Sequence, residues 1–437
     1  MKKLFILALV ATIALTSCQK DEPTKASKNF TVTIENVTTA KTFPTSGIFN
    51  TPKGTSSEGV IMPGQSYEFS FQAGPGSKLS FATMFVQSND LFYAPGADGI
   101  ALFDNSKQPI TGDITAQVSL WDAGTEVNEQ PGTGNNQAPR QSGANVGTAE
   151  NGTVRNITSV NDGFTYPVVN EVIKVSITNT NQTEFTVTIE NVSASASIST
   201  PLSPGAWVIH STSAPLFEAN AADKQLGLES IAEDGNPATL KQYLDNNTGF
   251  VTPMAPGTWA IHNSSTKPFF SNNTTDNGVG LEALAEDGDP ANLGAALASV
   301  AGVSQSGVFN TPSGASAPGV ITPGGKYEFS FTATEGDYLS LATMFVQSND
   351  LFYSFGDAGI ALFENGTAIS GDVTAQLSLW DAGTELNEYP GAGLNQAPRQ
   401  TGANTGTQDN SNLIRIVNDA FTYPTTSATI KVTISSQ

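Results

Sequence analysis

The octet at residues 30–37, FTVTIENV, alternates apolar Phe30, Val32 and Ile34 with polar neighbours, and the identical octet returns at residues 185–192. A period of two is the mark of a strand with one buried face. The same alternation appears in YEFSF at residues 67–71 and 327–331, and in the closing runs VIKVSIT (172–178) and TIKVTIS (429–435). Short alternating runs separated by Gly, Pro and Asn turns predict antiparallel β-sandwiches. A helical period enters only in two related blocks, residues 200–244 and 252–297, where TPLSPGAWVIH and TPMAPGTWAIH lead into LGLESIAEDGNPATLKQYL and VGLEALAEDGDPANLGAAL. In the second block Leu281, Leu284 and Ala285 have helical spacing, Gly288 suits a stop, and Asp289 with Pro290 opens a second short helix. Asn236 and Pro237 repeat the device in the first block.

The chain is a duplication. ATMFVQSNDLFYAPGADGIALFD (82–104) recurs as ATMFVQSNDLFYSFGDAGIALFE (342–364), and both copies lead on to LWDAGTE. The repeating main part spans 46–178 and 306–435, so the order is octet, main part, octet, block, block, main part. Two arrangements fit this order. In one, the second domain carries both blocks. In the other, the first block folds back to complete the first domain, which would otherwise leave an edge or an apolar face uncovered. The first is preferred because it spares the chain a crossing between domains. It gives a first domain at 30–178 lacking the Trp/His block, a linker at 179–184, and a second domain at 185–435 with tandem blocks 200–244 and 252–297 and main part 306–435. The expected fold class is all-β, two antiparallel sandwiches with short helices in the blocks.

With 437 residues, 14% charged positions and a net charge of −21, the chain has no basic surface on which to neutralise phosphates, and a nucleic-acid partner is excluded. The acidity points to divalent cations and solubility. Lys2 and Lys3, an apolar run from Leu4 to Leu15 and LTSC ending at Cys18 resemble a bacterial lipoprotein signal covering residues 1–18. Cys18 is the only cysteine in the chain, so it is the expected lipidation site and no disulfide assists the fold. Residues 19–29 then form a tether whose start, QKDE, is similar to the acidic tag of surface lipoproteins in Bacteroidetes. The expected location is a bacterial outer membrane, on the cell surface, held through the N-terminal lipid.

Asp90, Asp122 and Glu126, matched by Asp350, Asp381 and Glu385, are oxygen donors among Gly and Asn turns. Calcium takes six to eight oxygens, and the Ala-Gly-Thr turn is able to bring Asp122 and Glu126 to one side with Asp90 from a neighbouring strand end. The plainer account is that Asp and Gly make good turns. A paired-carboxylate hydrolase is the alternative chemistry, but nothing besides the pair points to it, and no catalytic residue is assigned. His210 and His262, the only histidines, read as packed strand-end residues, and Trp207 and Trp259 as core. EDGDP (286–290) is acidic enough for a second ion, although helix termination and capping already account for it. NQAPRQ (136–141, 395–400) lies in a long loop after the acidic turn, where Arg140 and Arg399 are candidates to meet an acidic ligand or the site's own carboxylates.

PGxWxIH, LEALAEDGDP, SGVFNTP, ATMFVQSNDLFY, LWDAGTE, NQAPRQ and FTYP, in that order, together resemble the spondin N-terminal domain in its bacterial form, over nearly all the chain beyond Asn29. The resemblance implies a C2-like β-sandwich, one calcium ion per domain in loops at one end, and extracellular adhesion or matrix binding. Animal members carry one acidic residue in a Ser-Pro-Asp turn and two in Asp-Ala-Gly-Thr-Asp. These fall on Asp90 (Asp350), Asp122 (Asp381) and Glu126 (Glu385), with Glu replacing the last Asp. The implied function is a calcium-binding surface module whose partner is an extracellular protein or glycan. A structural envelope protein that binds no specific ligand is the second reading, and a polysaccharide hydrolase the third.

Overall fold

The computed structural model describes residues 27–437; the leader, Cys18 and the first part of the tether lie outside the described residues. The chain is all-β, in two sandwich domains, each a four-stranded sheet packed on a larger antiparallel one. No described helix is long and apolar enough to cross a membrane.

Strand pairing divides the chain differently from the sequence reading. The second octet, in strand Glu184–Asn191, follows strand Ile173–Thr180 through a tight hairpin and pairs with it, and on its other side with Ser66–Gln72. The predicted linker 179–184 is therefore the end of this hairpin: Asn179, Thr180 and Glu184 are paired in its strands, and the turn between them holds Asn181 and Gln182 at positive φ of 55° and 67°. The first octet, in strand Ser27–Asn36, takes the equivalent slot in the other domain, between Lys326–Thr334 and Ile430–Ser436. The registers match: Phe185 faces Phe71 and Ile189 faces Tyr67, while Phe30 faces Phe331 and Ile34 faces Tyr327.

The first block likewise belongs to the first main part. Its strand Leu202–His210 lies between Thr45–Phe49 and Lys78–Phe85, and strand Met254–Asn263 of the second block lies between Val303–Phe309 and Asp337–Phe345. The domain expected to lack the Trp/His block thus has one. One domain, roughly residues 43–248, is inserted into an outer domain made of 27–36 and 254–436. The physical reason is local: a hairpin of a few residues commits the second octet to the strand before it, and the free N-terminal octet fills the vacancy left in the outer domain. The two crossing segments run side by side, with Phe43 N donating to Asn247 O at 3.0 Å.

The cores follow from the alternation. Phe30, Val32 and Ile34 are buried between the sheets of the outer domain with Trp259, Phe309 and Phe331, and Phe185, Val187 and Ile189 are buried with Trp207, Phe49 and Phe71 in the inserted one. Each block's tryptophan stacks on the YEFSF strand of its own domain, Trp207 on Phe69 at 5.2 Å and Trp259 on Phe329 at 5.0 Å. Helices Leu228–Asp234 and Ala238–Asn247, and their counterparts Leu281–Asp287 and Ala291–Leu297, cover the outer face of the larger sheets. Gly235 and Gly288 end the first helix of each pair at positive φ, and Asn236 and Asp289 accept from the N–H groups of Ala238 and Ala291.

The domains meet where the outer domain's loop around 389–399 touches the Gln72–Ser77 turn of the inserted domain. Lys107 Nζ donates to Arg399 O at 2.7 Å, and a Cβ on Gly74 would stand 2.3 Å from Ala392 O.

A chain lacking residues 27–36 is expected to keep a folded inserted domain and lose the outer one. The three buried apolar side chains of that strand are worth roughly 1.5–3 kcal/mol each, a sum of the order of a whole domain's stability. Hydrogen exchange should show protection lost in Lys326–Thr334 and Ile430–Ser436, retained in Ser66–Gln72, and restored by an added peptide of residues 27–36. Protection of Ile430–Ser436 without the peptide would refute the pairing.

Candidate functional site

Antiparallel pairing places the acidic turn. Asp90 immediately precedes strand Leu91–Pro95 and Asp122 ends strand Val118–Asp122; Leu91 is the register partner of Asp122, so the two carboxylates meet at one end of the sheet. The turn that follows wraps around them. Asp90 Oδ2 accepts from the N–H groups of Thr125 (3.2 Å) and Glu126 (3.1 Å), and Asp122 Oδ1 from that of Gly124 (2.7 Å). Gly124 has φ of 69°, a conformation costly for any residue with a Cβ. The second copy repeats this: Asp350 Oδ2 accepts from Thr384 N (2.8 Å) and Glu385 N (3.0 Å), and Asp381 Oδ1 from Gly383 N (2.6 Å).

The other oxygen of Asp90 has no partner although the side chain is fully buried, and the same holds for Asp350 Oδ1. Burial, and next to it the charge of Asp122 or Asp381, raises both carboxyls well above the usual aspartate range. Around Asp90 further acceptors also lack donors: Glu150 Oε2 and Asn128 Oδ1.

Glu150 is the residue sequence reasoning missed. Its carboxylate lies within 4.8 Å of those of Asp90 and Asp122. Arg155 bridges Asp122 Oδ2 (3.0 Å) and Glu150 Oε1 (2.6 Å), and Arg415 bridges Asp381 and Asp409, each at 2.7 Å. In the first copy three carboxyl groups thus share a single guanidinium. The available signal was the recurrence of an acid, then Asn, then Arg a few residues on: Glu150, Asn151 and Arg155 against Asp409, Asn410 and Arg415.

Glu126 and Glu385 turn to the other side. Glu126 Oε1 accepts from Gly147 N at 2.7 Å and Glu385 Oε1 from Gly406 N at 2.6 Å, and a Cβ on either glycine would stand 2.0 or 1.9 Å from the carboxylate oxygen. They face the helix acids Glu233 and Glu286, which burial raises to about 7 and about 8.

Arg140 and Arg399 do not reach the carboxylates. Arg140 donates to Gly134 O at 2.7 Å and Gln87 Oε1 at 3.2 Å, and Arg399 to Gly393 O at 2.7 Å and Gln347 Oε1 at 3.0 Å. They fasten the long loop to the strand end, and burial lowers Arg399 to about 10. His210 and His262 are buried at strand ends. In each, Nδ1 donates to a backbone carbonyl and burial favours the neutral ring, so Nε2 accepts from the hydroxyl of Ser80 or Ser340 at 2.9 Å.

Comparison with protein-family models finds no match, and comparison with curated proteins finds none.

The helix acids set a pH dependence. A carboxyl whose folded pKa is raised stabilises the fold while protonated and loses that contribution as pH climbs from its unfolded value, near 4.5, through its folded value. In chelator the protein is therefore expected to be less stable at pH 8 than at pH 6.5, by about 1 kcal/mol for each group that ionises in that window. Denaturant midpoints at the two pH values, with Glu286→Gln as control, check this. Equal midpoints for the unsubstituted chain would mean that the helix acids are already ionised.

Proposed function

We propose that this is a calcium-stabilised extracellular binding module, anchored through lipid on Cys18, whose two spondin-like domains each hold calcium at the acidic turn. The observation that carries the reading is the buried, unpartnered Asp90 Oδ1, with its counterpart Asp350 Oδ1, in a shell of acceptor oxygens. A buried acceptor without a donor costs about 1–3 kcal/mol, more when charged. A hard divalent cation relieves that cost where the neighbouring free atoms are also oxygens. The donor set fits best in the inserted domain, where oxygens of Asp90, Asp122 and Glu150 lie within 4.8 Å of one another and Asn128 sits on Asp122; in the outer domain Asp350 and Asp381 hold the equivalent places, and Asp409 shares Arg415 with Asp381. Bound calcium would supply charge neutralisation and cross-link the strand ends to the long loops.

The topology supports an outward-facing module. Ser27 pairs with Thr334, at the end where the chain turns into the nine-residue strand Asp337–Phe345, and Asp350 follows the opposite end. At 3.3–3.4 Å per residue these ends are about 27 Å apart. The inserted domain continues beyond that end, since its Gln72–Ser77 turn meets the outer domain and its own acidic turn follows the far end of strand Lys78–Phe85. A tether entering at Ser27 thus leaves the acidic turn of the inserted domain farthest from the anchor, free to meet an extracellular protein or glycan.

Thermal melts of the chain from Gln19 onward, in chelator and then across a calcium titration with magnesium as control, test the proposal. A calcium-specific stabilisation of about 2.7 kcal/mol is expected for a site at a hundredfold excess over Kd. Asp350→Asn should remove the response of the outer domain and leave that of the inserted one. A folded protein with no calcium-specific shift would overturn the reading. An array of matrix proteins and glycans probed with and without calcium then tests adhesion, with calcium-dependent capture the expected result.

A further inference from the structure

A second acidic group stands beside each acidic turn, built from different residues. Helix Leu281–Asp287 presents Glu282 and Glu286 four positions apart, hence on one face, and helix Leu228–Asp234 presents Glu229 and Glu233 in the same way. Like charges at this spacing repel, and here burial adds to the cost: Glu286 and Glu233 are each only 2% exposed. No lysine or arginine forms an ion pair with any of the four among the described residues.

What reaches them is an asparagine from the long loop. One end of the Asn404 amide lies 2.6 Å from Glu282 Oε1 and 2.9 Å from Glu286 Oε2; one end of Asn145 lies 3.0 Å from Glu229 Oε1 and 3.1 Å from Glu233 Oε2. Both asparagines sit at a φ of 53°, so the loop is held in the same unusual conformation twice. Turned with its NH2 inward, the amide gives each carboxylate one hydrogen bond. Turned with its carbonyl inward, it sets a third acceptor against the two carboxylate oxygens and its NH2 against donors, an arrangement that only a cation between the oxygens would favour. In either orientation Glu286 Oε1 and Glu233 Oε1 are buried away from the amide, with the hydroxyls of Thr384 and Thr125 as neighbouring donors. In the outer domain these groups line a cavity of about 290 Å³ that also includes Thr384, Glu385 and Gly406.

We infer that each domain has a second divalent-cation position, between the helix carboxylates Glu282 and Glu286 and the loop amide of Asn404 in the outer domain, and between Glu229, Glu233 and Asn145 in the inserted one. The ion is of the calcium class, since all the donors are carboxylate or amide oxygens. It ties the helix layer to the long loop, whereas the acidic turn ties strand ends to the same loop. The duplication retains it residue for residue, while the ordinary helix-capping roles in the same segment fall on Gly288 and Asp289 and do not use Glu282 or Glu286.

Calcium counted by isothermal titration and by native mass spectrometry on the chain from Gln19 onward tests this. Four ions per chain are expected, falling to three in E282Q/E286Q and to two when E229Q/E233Q is added, with circular dichroism unchanged. Asn404→Asp adds a test that does not depend on loss. An aspartate tolerates the same φ; facing a cation it becomes a charged ligand and tightens binding about tenfold, whereas facing two bare carboxylates it repels them and lowers Tm in calcium. Two ions per chain that survive the glutamate substitutions would overturn the proposal and leave the asparagines as amide donors. A count that falls to zero in a domain when its helix glutamates are replaced would also overturn it, since that describes one shared site. Ions lost with the glutamate pairs but not with Asp350→Asn would uphold this position and refute calcium at the acidic turn.

Discussion

The outer domain is held together by a strand taken from the far end of the chain. Ser27–Asn36 lies inside its four-stranded sheet, bonded on both sides, and Gln437 N donates to Asn29 O at 2.9 Å, so the two ends of the described chain close on each other. Closing so long a loop is entropically cheaper than it looks, because the cost grows only logarithmically, about 0.6 kcal/mol per doubling. The inserted domain reduces it further. Once folded, it holds Phe43 beside Asn247, and the first strand is then a short step from the rest of its domain rather than separated by the whole inserted sequence. The nested order therefore has a folding logic: the domain with the nearer contacts prepares the closure of the other.

Both acidic turns rest on the same strand geometry. Antiparallel pairing of Leu91 with Asp122, and of Leu351 with Asp381, delivers two carboxylates to one sheet end before any loop residue contributes. The turn amides stabilise one oxygen of each aspartate as a carboxylate, and a single arginine from the next strand offsets part of the charge. What is left is an excess of buried acceptors over donors, and only a proton or a cation removes it. The upward shift at Asp90 and Asp350 expresses the proton's side of that competition. A divalent cation at the turn, as proposed, would have to displace that proton, and its affinity would then depend on pH through the same residues.

Alternation, turn chemistry and the tryptophans were legible in the sequence because each is a local property: Phe30, Val32 and Ile34 point inward, Gly288 ends its helix, and Trp207 and Trp259 are core. So was the meeting of Asp90 with Asp122, which the Ser-Asn-Asp and Asp-Ala-Gly turns announce. The partner of each octet was not legible, because two identical strands carry no information about which sheet they join; a short hairpin decided it. Glu150 escaped because its place beside Asp122 depends on the pairing of Arg155 with Asp122 across a long Gly- and Asn-rich loop. Glu126 and Glu385 sit in the right turn, yet a glycine N–H on the opposite side draws each carboxylate away, and no spacing rule contains that glycine.

The junction between the domains shows where the duplication stopped being symmetrical. The outer domain's loop reaches the inserted domain with Tyr389 and Ala392, and Gly74 admits Ala392 O where a Cβ would clash at 2.3 Å. At the corresponding free ends the residues differ: the loop of the inserted domain has Gln130 and Thr133, and the turn of the outer domain has Thr334 in place of Gly74. A head-to-tail contact between two nearly identical domains is open by nature, and repeated with further copies it would build a filament. Thr334 carries the Cβ for which the junction at Gly74 has no room, so the same contact geometry does not carry over to that end of the molecule.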